Sequence, residues 1–113
     1  MFATITQDEI VQIFNSNKKV FENSVIYILS SDQKNIYSES YEGGNQDIEY
    51  LLDDLDYRGI NKTNDELVFF VRESSWGVNQ GILFSKQVNE PDKGNNITKL
   101  ERLNENWYFF KMK

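Results

Sequence analysis

The amino-acid sequence predicts an α+β fold: an N-terminal helix and a short second helix packed on one face of a curved antiparallel sheet of four to five strands. Three observations carry this expectation. Apolar residues between Ile10 and Leu29 recur at spacings of three and four, as in a helix that buries one stripe. After Tyr57 the pattern changes to short strand-like runs separated by Gly, Asn, Asp and Ser. The 113 residues are 39% hydrophobic and 14% aromatic, enough for one packed core and therefore one domain over 1–113.

Thr6 followed by Glu9 is a capping-box pattern, and Ile5 and Ile10 occupy the two staple positions around it, so the first helix starts at about Gln7. Its stripe is Ile10, Ile13, Phe14, Val20, Phe21, Val25, Ile28 and Leu29. Asn15, Ser16 and Asn17 are poor helix formers and mark the place for a break. Beyond the polar link at 30–33, residues 36–41 alternate as a short strand ended by Gly43-Gly44. Ile48, Leu51, Leu52 and Leu55 then fall at helical spacing and define the second helix over 47–55. The runs 66–73, 81–86, 97–103 and 107–112 read as an antiparallel meander. The last turn, 103–107, is a tight hairpin, and the single proline, Pro91, sits in a polar loop where it breaks no ladder. On the last strand Trp107 and Phe109 face one way, Tyr108 and Phe110 the other. One pair is expected under the helices and the other as an exposed aromatic strip.

Charge and composition exclude several function classes. A net charge of −6 and a pI near 4.6, with no Lys/Arg-rich run, disfavour nucleic acid and anionic lipid as partners. The chain has neither Cys nor His, which removes thiolate nucleophiles, zinc-thiolate sites, disulfides and the commonest general base. Ser74, Ser75 and Ser85 have no histidine to activate them. The acidic run Asp47, Glu49, Asp53, Asp54 and Asp56 invites a calcium reading, but a loop starting at Asp54 puts Arg58 in the fifth position, where an oxygen ligand is needed. No metal, cofactor or catalytic residue is expected, and the acids read as a solvated face.

That face, Asp53, Asp54 and Asp56, is the first candidate site, because an acidic surface can steer a basic protein without any catalytic group. The second is the small-residue loop 74–81, where Trp76 and Asn79 sit between two strands. With Trp107 they form the candidate ligand set for an aromatic-lined cavity between helix and sheet. The first candidate makes the chain a non-enzymatic protein-binding module of the immunity or inhibitor kind; the alternative is a small-ligand or cell-envelope binding domain. No basic leader and no apolar run of about 18 residues is present, so the expectation is a cytoplasmic protein without membrane insertion, or an exported domain whose leader has been removed.

The stretch 75–86, followed by 97–103 and 106–110, resembles a small domain of low-GC Gram-positive bacteria with no assigned activity, and the Asn- and Lys-rich, Pro-poor composition agrees with a bacterial source. The chain is also similar, loosely, to helix-plus-sheet domains of the cystatin and NTF2 kind, which begin with a helix and end in strands carrying a late Trp. The resemblance implies a bacterial accessory domain and supplies no catalytic motif.

Overall fold

The computed structural model describes residues 5–75, 77–87, 89–91 and 96–113, with the side chains of 74 and 75 excepted. Helices α1 (Gln7–Ser16) and α2 (Lys18–Leu29) precede a short strand β1 (Asn35–Tyr37). Helix α3 (Gln46–Glu49) runs directly into a π-helical turn, Tyr50–Asp54. Five strands follow: β2 (Gly59–Thr63), β3 (Leu67–Ser75), β4 (Val78–Ser85), β5 (Ile97–Asn104) and β6 (Trp107–Met112). No helix among the described residues is long and apolar enough to cross a membrane.

The helices start and stop where local chemistry directs. The Thr6 hydroxyl accepts from the Glu9 N–H and the Glu9 carboxylate accepts from the Thr6 N–H, each at 3.2 Å, which closes the capping box. The break falls at Asn17, whose backbone leaves the helical region and whose side chain donates to the Ile13 carbonyl at 2.8 Å. Two helices therefore stand where the apolar stripe predicts one interrupted one. The C-terminal end of α2 is closed from the sheet: Lys62 on β2 donates to the carbonyls of Ile28, at 3.1 Å, and Ser31. Asn45 caps α3 by accepting from the Ile48 N–H at 3.1 Å.

The six strands form one sheet in the order β1-β2-β3-β4-β6-β5, every neighbouring pair antiparallel. One strand more than expected is present, because β2 carries a single apolar residue, Ile60, between Gly59 and three polar residues and escapes a pattern search. Residues 38–40 form a turn and leave β1 at three residues. The meander expectation also needs correction, since β6 inserts between β4 and β5. Burial explains the order. Trp107, Tyr108, Phe109 and Phe110 of β6 are all buried and require neighbours on both sides, whereas Thr98, Lys99, Glu101 and Arg102 of β5 are exposed and suit an edge. The β5–β6 connection is the tight hairpin the sequence indicates, with Asn104 opposite Trp107.

Alternation along the strands divides the apolar residues between two cores. Under the helices, Ile36, Ile60, Phe70, Ile82, Trp107 and Phe109 meet Ile10, Phe14, Phe21, Val25, Ile28, Ile48 and Leu51. On the opposite face Phe69, Val71, Leu83, Tyr108 and Phe110 form a second cluster flanked by Leu67, Ile97, Leu100 and Met112. The expected exposed aromatic strip is therefore absent: Tyr108 and Phe110 are fully buried in this second cluster. Being antiparallel to the same β6, β4 and β5 run parallel; Pro91, between them in the chain, is buried.

Strand β3 is bulged between Val71 and Glu73, and Gly81 of β4 lies opposite. Beyond the bulge Gln80 is buried and donates to the Ile5 carbonyl at 3.1 Å and the Glu73 carboxylate at 3.0 Å, tying the start of α1 to the sheet.

Candidate binding face

Tyr37, Gly59, Val71 and Gly81 are cross-strand neighbours in one row on the face turned away from the helices. Two of the four carry no side chain, and the row is open at Gly59. The result is a hollow of about 290 Å³, walled by Tyr37, Glu39, Arg58, Asn61, Val71 and Asn79. The Tyr37 ring leans across Gly59: a Cβ at that glycine would sit 3.4 Å from Tyr37 Cδ1 and 2.9 Å from the Ile36 carbonyl oxygen. With 54% of its surface exposed, Tyr37 is a ridge and not a floor.

A second hollow, of about 260 Å³, opens on the other side of β1 between Tyr27, Asn35, Tyr37, Tyr41 and Glu42. Tyr41 is held in place by accepting from the Asn45 N–H at 3.0 Å. Burial pushes its phenol above the ordinary tyrosine value; the Asn45 bond opposes that rise, and neighbouring Tyr27 and Glu49 add to it. Tyr37 is thus common to two concavities and carries an apolar ring with a polar tip, the side-chain type that dominates many binding hot spots.

Glu39 lines one of these hollows and Glu42 the other, and further acidic residues are exposed on the chain leading into β2. The π-helical turn closes with the Leu55 N–H bonded to the Tyr50 carbonyl at 3.0 Å and leaves Asp53 and Asp54 exposed at its end. Asp56 takes a left-handed conformation, φ 60°, and its carboxylate lies 4.0 Å from the Arg72 guanidinium. Arg58, two residues on, walls the hollow, and its carbonyl accepts from the Ser38 N–H at 2.9 Å, so Ser38 and Glu39 are held beside it. Asp56 is thus paired with Arg72, Glu39 lines the hollow beside Arg58, and Asp53 and Asp54 are exposed on the turn that leads into β2. No family model, curated protein or solved structure matches this chain.

The residues singled out by sequence are scattered between this face and the core. Asn79 lines the hollow; Asp56, two residues before Arg58 in the chain, is paired with Arg72 and does not, and Asp53 and Asp54 are likewise outside its lining. Trp76 lies outside the described residues. Trp107 is only 5% exposed and sits among aromatic rings, 5.0 Å from Phe14, 5.1 Å from Phe84 and 6.1 Å from both Phe21 and Phe70. Those rings occupy the space between helices and sheet in which a ligand cavity was expected. Among the described residues no group of three or more carboxylates is gathered to hold a metal ion. Sequence reasoning missed Tyr37, Arg58 and Asn61 as one wall. The available signal was Gly59, since a glycine inside a strand marks either a bulge or a place left open.

Proposed function

We propose that this chain is a non-enzymatic bacterial protein-binding module of the immunity or inhibitor kind that engages a basic partner through an acidic face. The supporting observation is Tyr37: an exposed aromatic ridge between two hollows, one lined by Glu39 and the other by Glu42, on a chain that also exposes Asp53, Asp54 and Asp56 just before β2. In this reading Tyr37 supplies the buried anchor, and the carboxylates raise the encounter rate and reject acidic or nucleic-acid partners.

The test is capture of a partner from lysate and culture medium at low salt, followed by association and dissociation rates with the purified pair. Replacing both Asp53 and Asp54 by Asn slows association several-fold and flattens its salt dependence, while Tyr37→Ala accelerates dissociation. Association rates that ignore both salt and the double substitution would sink the acidic-face reading. A second reading rests on Asn79 and the 290 Å³ hollow, which offer a small ligand an aromatic wall and amide groups away from the helices. It predicts a ligand-dependent rise in melting temperature that Tyr37→Ala and Asn79→Ala both abolish.

A further inference from the structure

We propose that a second copy of this chain joins the sheet through β5, edge to edge and antiparallel, about a twofold axis at Leu100. Among the described residues β5 has a strand neighbour on one side, β6, so the backbone at Leu100 on its other side is not engaged by a strand. Such an edge is a template for a further strand.

The side chains along the edge select the partner and the register. With Leu100 opposite Leu100 of the second copy, Lys99 stands opposite Glu101 and Glu101 opposite Lys99. Directly opposed residues in an antiparallel pair share a face of the sheet. Lys99 and Glu101 both lie on the helix side: each bonds the Gln7 side chain of α1, and Lys99 Nζ is 5.8 Å from the centre of the Phe109 ring. The twofold axis thus creates two ion pairs on that face. On the other face Leu100, half-buried at the margin of the second core, meets its own copy and continues that core across the junction.

Neighbouring registers fail by the same accounting. Slipping the pairing to centre on Glu101 or on Lys99 sets like charges directly opposite each other. An intermediate slip one way opposes Lys99 to Arg102, and the other way buries Leu100 against Lys99. Bulges between Ile97 and Lys99 and between Arg102 and Asn104 bracket the regular stretch, which keeps the pairing short and confined to this register. Beside the edge runs a groove of about 450 Å³ between α1 and β5, lined by Val11 and Leu103 among others. Because β1 is the opposite edge of the sheet, dimerisation leaves the face around Tyr37 free.

The test is sedimentation equilibrium from about 1 μM to about 1 mM protein, the range in which a small interface assembles. Wild type is expected to approach twice the monomer mass. Lys99→Glu and Glu101→Lys, each opposing like charges, weaken self-association about tenfold or more. An equimolar mixture of the two restores a dimer, because one chain then carries two carboxylates at positions 99 and 101 and meets two ammonium groups at the same positions of the other. The exchange of both charges within one chain, Lys99→Glu with Glu101→Lys, dimerises like wild type and guards against variants that misfold. A wild type that stays monomeric throughout, single variants that self-associate like wild type, or folded single variants whose mixture stays monomeric would each overturn the proposal.

Discussion

A Cβ on Gly81 would collide with the carbonyl oxygen of Phe70, well inside any tolerable contact. The bulge at Arg72 draws β3 towards β4 at this point, and the Arg72 nitrogen is 3.0 Å from the same position. Backbone atoms cannot swing aside as a flexible side chain does. Gly81→Ala is therefore expected to cost about 3 kcal/mol, at the upper end of overpacking effects, in a urea titration. A loss below about 1 kcal/mol would mean that the two strands separate more easily than their ladder implies.

Tyr57 has its ring against Phe21, with centroids 5.5 Å apart, and its hydroxyl is buried without a hydrogen-bond partner among the described residues. Tyr57→Phe removes an unsatisfied polar group and keeps the ring, so it is expected to raise stability by about 1 kcal/mol at neutral pH, read from the shift of the urea midpoint.

The same residue confers a pH dependence. Burial holds its phenol well above the ordinary value of 10.0, with Arg72 opposing the shift. Above about pH 10 the unfolded chain loses this proton and the folded chain keeps it, so stability falls as pH rises; below that pH the contribution is fully present. Denaturation midpoints of wild type at neutral pH and at about pH 11 should therefore diverge more than those of Tyr57→Phe. Equal alkaline losses in both proteins would place the sensitivity elsewhere.

Lys62 and Asp65 separate a buried role from a surface one. The Lys62 side chain is 5% exposed and serves the end of α2, whereas its ion pair at 3.4 Å is with an Asp65 side chain that is 82% exposed. Lys62→Met takes a charged donor from the Ile28 carbonyl, which keeps the Ser31 N–H at 3.2 Å, and from the Ser31 carbonyl just beyond the helix, and is expected to cost about 2 kcal/mol. Asp65→Asn should stay within about 0.5 kcal/mol. Urea denaturation of the pair checks the contrast, and equal losses would show that the ion pair, not the helix end, is what Lys62 stabilises.

Local chemistry made α1 readable: Thr6 and Glu9 announce its start, and the polar triplet at 15–17 announces the break that Asn17 makes. Long-range geometry was less readable. Leu51, Leu52 and Leu55 fit an α-helical spacing, so nothing in the pattern distinguishes the π-helical turn that exposes Asp53 and Asp54. Strand order was partly encoded and overlooked, since four consecutive buried aromatic residues in β6 and the charged β5 already argue for centre and edge. The binding face was hidden for a different reason. It depends on a gap at Gly59 between residues far apart in the chain, and only the register of β1, β2 and β3 shows which side chains wall it. Trp107 drew attention by its size, yet size in a strand that packs under helices mostly fills volume.

The insertion of β6 between β4 and β5 also orders the assembly of the sheet in time. Strands β1 to β4 can zip together in sequence order, each new strand pairing with the one before it. Strand β5 has no such route: it follows β4 in the chain but pairs within the described sheet with β6, so it must first form a hairpin with β6 and then dock as a unit on β4. Until that docking, β4 ends the growing sheet with an apolar strand uncovered, a short-lived species that crowding or high expression would divert into aggregates. Substitutions that slow the 104–107 turn should therefore lower the yield of folded protein before they lower its stability.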